Sequence, residues 1–181
     1  SVQNITTREI DPLKPTVIMF GSINSGTANN IIPEKITTEG TIRYLYKGGD
    51  DSKERPHKRF ERIVKKICEA HKCKYELDYF ASSPPVYNNK ELIPIVKSVA
   101  KEVVNNSSDV IDYVCLGGED FAEFSKIIPS VFYFIGTGNK KKGSNYPHHH
   151  PRFNIDEDTL KTGVEMHVKT ALNYFNFGKQ N

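Results

Sequence analysis

Five consecutive residues, Val131-Phe132-Tyr133-Phe134-Ile135, carry apolar bulk at every position. Side chains of a strand alternate between its two faces, so a run with no polar alternate predicts a strand covered on both sides, as in a parallel sheet. The surrounding sequence fits that demand. Leu92, Ile95, Val96, Val99, Ala100 and Val103 recur at helical spacing, with Pro94 placed where a first turn tolerates it. Residues 110–116 read as another strand, and 120–128 as a short helix with Phe121, Phe124 and Ile128 inward. A last helix opens on Asp156, Glu157 and Asp158, acids suited to a positive N-terminal end, and runs on through Leu160, Val164, Val168, Ala171, Leu172 and Phe175. Helices alternating with strands predict an α/β segment over residues 86–181.

Ser82-Ser83-Pro84-Pro85 separates this segment from one with a different rhythm. Residues 1–11 read as the tail of a helix entering a turn at Pro12 and Pro15. Thr16-Val17-Ile18-Met19-Phe20 reads as a short strand, then a turn through Gly21 to Gly26. Residues 37–46 form a second expected strand, ended by Gly48-Gly49-Asp50-Asp51, and Tyr75, Leu77 and Tyr79 a third. Between them Phe60, Ile63, Val64 and Ile67 line one side of a helix whose other side is basic. Residues 1–85 are therefore expected to form a two-layer α+β unit, an antiparallel sheet with helices on one face. A sequence opening on Ser1 inside a helix tail is expected to be a segment of something longer.

Composition argues against several function classes. The net charge is only +3, with lysines and acids interspersed, and no paired aromatic RNP-type motif lies on the expected strands, so nucleic acid is not an expected partner. Lys140-Lys141-Lys142 reads as a solvated loop between glycines. No apolar run approaches the ~18 residues a membrane span requires. Cys68, Cys73 and Cys115 show no CxxC spacing and read as reduced thiols of a cytoplasmic protein.

Two segments concentrate chemistry. Gly117-Gly118-Glu119-Asp120-Phe121 places two carboxylates beside glycines that let a backbone approach a ligand closely. A plainer role for Asp120 is capping the helix that follows, with Glu119 solvated. Tyr146-Pro147-His148-His149-His150-Pro151-Arg152-Phe153-Asn154 gathers imidazoles, the side chains best suited to a transition metal near neutral pH. Adjacent side chains of an extended segment point opposite ways, so at most one or two of these histidines serve one ion.

In that order, these segments resemble the C-terminal half of the dinuclear-metal N-acyl-amino-acid amidohydrolases. That family includes hippurate hydrolase, auxin-conjugate hydrolases, aminoacylases and related carboxypeptidases. His149-His150-Pro151-Arg152-Phe153-Asn154 is similar to the family's histidine, small or polar residue, proline, any residue, aromatic, Asp/Asn motif. Gly117 to Phe121 is similar to its G-S/G-E-D-F signature. Gly26-Thr27-Ala28-Asn29-Asn30-Ile31-Ile32-Pro33-Glu34 and Glu39-Gly40-Thr41-Ile42-Arg43 are similar to its G-G-T-A-x-N-V-I-P-D and x-G-T-x-R pair, although Asn24-Ser25-Gly26 stands where a glycine pair is usual.

The resemblance implies a lid and dimerisation domain over residues 1–85 and the C-terminal portion of a zinc-exopeptidase-like catalytic domain over 86–181. It makes His149 a metal ligand facing inward to a cation held chiefly by other polypeptide, with Glu119 and Asp120 supporting the site. Asn30 and Arg43 would reach an N-acyl amino acid substrate, in some members across a dimer interface, with backbone groups of Gly136 and Thr137 nearby. Plainer roles exist: Asn30 stabilising a turn, Arg43 pairing with Glu39 or Glu34. The complete site would hold two divalent ions, of Zn or Mn type, and this segment alone would hold few or none. The family's early H-x-D segment and paired glutamates do not occur in these residues, so the segment alone is expected to be inactive. The alternative is a non-catalytic dimerisation or binding module derived from the lid.

Overall fold

The protein was analysed as a computed structural model, which describes residues 1–47, 49–104 and 107–177. Gly48, within the expected strand-ending break, lies outside the described residues. The chain is α+β, a two-stranded antiparallel sheet with helices, divided into two compact units. One comprises Ser1–Pro85 with Cys115–Ala122, the other Val86–Val114 with Glu123–Asn181.

In the first unit, β1 (Thr16–Ser25) pairs with β2 (Ile36–Tyr44), from Thr16 opposite Tyr44 to Ser25 opposite Ile36. β1 runs past the expected turn because the register shifts between Phe20 and Ser22, a bulge that absorbs Gly21 and lets pairing continue. Gly40 sits opposite Phe20 at that point, and any Cβ there would lie 2.2 Å from the Met19 carbonyl oxygen. Only glycine fits. α1 (Pro56–Ala70) starts with Pro56, whose fixed φ and missing N–H suit a first helical position. Its Phe60 and Ile63 pack on Ile5, Ile10 and Ile18, the buried centre of the unit. The N-terminal helical turn Ile5–Glu9 is tied in by Gln3, whose amide donates to the Ile18 carbonyl at 2.8 Å, and by Arg62, 2.6 Å from the Glu9 carboxylate. The third expected strand, around Tyr75 to Tyr79, joins no ladder.

In the second unit, α2 (Ile93–Val103) and α4 (Thr159–Phe177) pack through Val96, Val99 and Met166. Pro94 falls in the first turn of α2, and the Asn89 side chain accepts from the Glu91 and Leu92 N–H groups at its start. α3 is a single turn, Ala122–Ser125, and the expected inward Phe124 and Ile128 are exposed. α4 turns an unexpected face inward. Met166 is buried, whereas Leu160, Val164, Val168 and Leu172 form an exposed stripe four residues apart.

Residues 131–135 alternate as a strand does: Val131 and Tyr133 pack on the helix pair, while Phe132 and Phe134 meet edge to face, with centroids 5.1 Å apart, on the other side. No described residue forms a ladder with this run or with 110–116. A strand exists only through a hydrogen-bonding neighbour, and here one side chain substitutes for it. Asn88 donates from Nδ2 to the Phe132 carbonyl at 2.9 Å and accepts the Phe132 N–H on Oδ1 at 2.7 Å. No helix among the described residues is long and apolar enough to cross a membrane.

Candidate metal and substrate site

Arg43 lies near the open end of the hairpin, opposite Val17. Its Nη1 donates to the Leu116 carbonyl at 2.8 Å, which brings Gly40-Thr41-Ile42-Arg43 beside the start of the Gly117-Gly118-Glu119-Asp120 turn. Two segments far apart in sequence thus meet within one unit. The guanidinium forms no ion pair among the described residues, and Glu39 instead faces Ser22 at 3.4 Å.

Within the glycine turn the carboxylates divide their work differently from the plain expectation. Glu119 accepts the Phe121 N–H on its own side chain at 3.1 Å, and its carbonyl accepts the Ala122 N–H at 3.3 Å. Asp120 is exposed and has no partner among the described residues. Glu119 thus stabilises the turn, and Asp120 is left to interact elsewhere. Asn30 occupies the exposed connection beyond Ser25 and Ile36, where the Ser25 hydroxyl bonds the Lys35 carbonyl at 2.9 Å. Seven residue steps along β2, about 24 Å of strand, separate Ile36 from Arg43. The ribbon therefore holds Asn30 and Arg43 apart.

The histidine segment belongs to the second unit. Residues 147–150 make a turn closed by the His150 N–H on the Pro147 carbonyl at 3.2 Å, and a second turn follows, closed by Phe153 on His150 at 2.8 Å. The Tyr146 ring stacks on His150 at 4.4 Å, and the Arg152 guanidinium lies 4.4 Å from the same ring. His148 meets the edge of Phe153 at 5.0 Å, and His150 Nδ1 accepts the Arg152 N–H at 3.0 Å. His149 differs from both neighbours. Like His148 it is exposed, not inward as expected, but its imidazole alone of the three has no partner among the described residues, and its backbone is left-handed at φ 66°.

Thr137 is committed to structure through its backbone, since its carbonyl accepts the Asp156 N–H at 3.0 Å. A Cβ on Gly136 would meet nothing within 4 Å, so that position is open. The lysine run departs from the expected solvated loop. Lys142 places its ammonium 2.5 Å from both Asp156 and Asp158, and Asn139 donates to Asp156 at 2.7 Å. The Lys142 hydrogen bond, aided by that of Asn139, holds the Asp156 carboxyl below the ordinary aspartate range. Its hydrogen bonds to Asp156 and then Asp158 push the Lys142 ammonium well above its ordinary value. Asn139 placed just before the lysines, as an Asx cap of their turn, was the available sequence signal.

Among the described residues no three His, Cys, Asp or Glu side chains converge. A catalytic zinc takes about three protein ligands, so these residues do not make a self-contained site for a divalent ion. His149 offers one donor.

Residues 6–173 match the family described as Peptidase family M20/M25/M40. The chain belongs to that family. It is 34% identical over 177 residues to thermostable carboxypeptidase 2 of Saccharolobus solfataricus, covering 97% of this chain and 44% of that protein. It is 33% identical over 169 residues to an N-acetyldiaminopimelate deacetylase of Priestia megaterium, covering 93% of this chain and 42% of that one. The solved structure of a Bacillus subtilis protein described as a dinuclear metal binding peptidase from the M20 family superposes with a TM-score of 0.67 at 24% identity, over 86% of this chain and 41% of its own. The M20 chain thus spans less than half the length of these relatives.

Proposed function

We propose that this chain is the lid and C-terminal catalytic portion of a cytoplasmic, metal-dependent amidohydrolase that cleaves N-acyl amino acids, with two Zn- or Mn-type ions in the complete enzyme. The observation that carries the reading is His149. Of three adjacent imidazoles, two are packed on aromatic rings and one is exposed with no partner. That one sits on a left-handed backbone, a conformation that costs an ordinary residue about 1–2 kcal/mol and persists where the surroundings impose it. The names of the relatives agree with the reaction class, since a carboxypeptidase and a deacetylase both break amide bonds.

On this reading the remaining donors to the metals come from outside the described residues. Asp120, free of the turn that occupies Glu119, orients a liganding imidazole. Arg43 suits a substrate carboxylate and Asn30 an amide. One small substrate does not bridge the two ends of the hairpin, so they serve it from different copies of the chain. That separation supports a homodimer formed through the lid.

The test compares the 181-residue chain with a longer protein that joins it to the N-terminal half of such an enzyme. The longer protein should release free amino acid from an N-acyl amino acid only with divalent metal, and the chain alone should not. His149→Gly relieves the backbone, so stability should hold or rise by up to about 1 kcal/mol. Activity should nevertheless fall at least about 100-fold. Turnover by the chain alone at ordinary enzymatic rates, or unchanged metal affinity in His149→Gly, would refute the assignment.

A further inference from the structure

The histidine segment is closed at its base. Before it, Asn139 and Ser144 pair through both backbone N–H groups, at 3.2 and 3.0 Å, and Ser144 is only 2% exposed. After it, the Asp156 N–H reaches the Thr137 carbonyl, which the Ser144 hydroxyl also approaches at 3.4 Å. Residues 145–155 therefore leave and return at one place, and their rings pack on one another. Close ends and self-packed side chains define an Ω-type loop, a form that often carries function.

What locks the base is a carboxylate. Asp156, 8% exposed, takes Lys142 on Oδ1 at 2.5 Å, Asn139 on Oδ2 at 2.7 Å, and the Asp158 N–H on Oδ1 at 3.2 Å. Lys142 also spans to Asp158, so one ammonium joins the turn before the loop to the start of α4 after it.

We propose that Lys142 is a positioning residue for His149: by clamping Asp156 it closes the base of the loop and fixes how the loop presents its unpartnered imidazole. The role rests on reading His149 as a ligand, while the clamp itself does not depend on it. The opposite pulls on the two groups, the carboxyl down and the ammonium up, agree with a preformed charged contact. Replacing Lys142 by a neutral chain leaves a buried carboxylate without its cation, and the loop base then opens to hydrate it.

The experiment measures amide hydrogen exchange over residues 146–154 and the ring resonances of His149 in metal-free protein, for the wild type, Lys142→Met and Lys142→Arg. Lys142 is half-exposed, so the substitutions should not prevent folding. In Lys142→Met, exchange in the loop should rise roughly ten- to a hundredfold, as loss of hydrogen bonds to charged groups predicts. The His149 signals should broaden or average, amides of α2 and of Met166 should keep their protection, and Lys142→Arg should restore the wild-type pattern. Wild-type exchange and His149 signals in Lys142→Met would overturn the proposal, and so would equal loss of protection throughout α2 and α4. Because no metal is present, this result stands apart from the ligand role, which the metal affinity of His149→Gly reports.

Discussion

The two hydrogen bonds between Asn88 and Phe132 make a sharp test of how this unit holds an extended segment without a partner strand. A side-chain amide has the same donor and acceptor as a peptide group, and here it offers both to one residue, at 2.9 and 2.7 Å. Asn88→Ala removes both. A protein hydrogen bond contributes about 0.5–1.5 kcal/mol net. Both contacts are exposed, so water can take the place of the amide and the larger cost of a buried orphan does not apply. The expected loss is therefore about 1–2 kcal/mol. In a domain of 60–100 residues each kcal/mol moves Tm by about 4–8 °C, so a fall of roughly 4–16 °C is expected in a probe of the second unit. Asn88→Asp separates geometry from bulk. It keeps the acceptor for the Phe132 N–H but sets a carboxylate oxygen against the Phe132 carbonyl. At pH 7 it should be as destabilised as the alanine variant, and part of the loss should return below about pH 4, where the acid is protonated and can donate. Exchange of the Phe132 amide, followed beside the thermal transition, shows whether the loss is local. An Asn88→Ala protein melting within a degree of wild type, or an Asn88→Asp protein equal to wild type at pH 7, would refute this account.

The two sides of α4 should respond oppositely to truncation. Met166→Ala empties a buried position and should cost about 2–5 kcal/mol, whereas Leu172→Ala on the exposed stripe should stay within about 0.5 kcal/mol in this chain. Urea unfolding of the two variants decides it, and a large loss from Leu172→Ala would mean the stripe is covered in solution. The clamp at Asp156 should be sensitive to acid. Its carboxyl is held below the ordinary value by Lys142 and then Asn139, so its contribution is complete above the ordinary aspartate pKa of about 3.9 and is lost as pH falls through the lowered folded value. Lys142, held above its ordinary value, contributes below about pH 10.4 and weakens only as pH rises past that. Protection of the Ser144 and Asp156 amides at the base of the loop, corrected for the intrinsic pH dependence of exchange, should therefore be steady from about pH 5 to 10 and fall in stronger acid, and the acid transition should vanish in Lys142→Met. Protection of these amides unchanged down to about pH 2 in the wild type would contradict the assignment.

Much of the helical structure was legible because apolar spacing and local chemistry agree. In α2 the apolar period and the proline in the first turn both point to one helix. The hairpin strands were legible for the same reason, but the length of β1 was not, because the bulge at Gly21 depends on the close approach of Gly40 across the ladder. α4 misled because its one apolar stripe is the exposed one. The inward side carries Met166 among Gly163 and Thr170, which periodicity does not mark, and only packing against Val96 and Val99 selects it. The runs at 75–79, 110–116 and 131–135 have strand composition, yet a ladder is a property of pairs, and no described segment pairs with them.

The site divides along the same line between local and non-local information. Order along the chain was enough to mark Arg43, the Gly-Gly-Glu-Asp turn and His149, since each sits in a compact motif. Which groups are already engaged was not readable, because that depends on contacts between distant residues. Arg43 finds the Leu116 carbonyl across 73 residues of sequence, and Lys142 finds Asp156 across 14. The consequence is a sorting of similar residues by availability. Of two adjacent acids, Glu119 is held by its turn and Asp120 is not; of three adjacent histidines, two are packed and His149 is not. Of three adjacent lysines, Lys142 alone reaches into the structure to the Asp156 carboxylate, while Lys140 and Lys141 remain exposed. A motif therefore identifies the group of residues, and the hydrogen bonds around it show which member is engaged and which is left available.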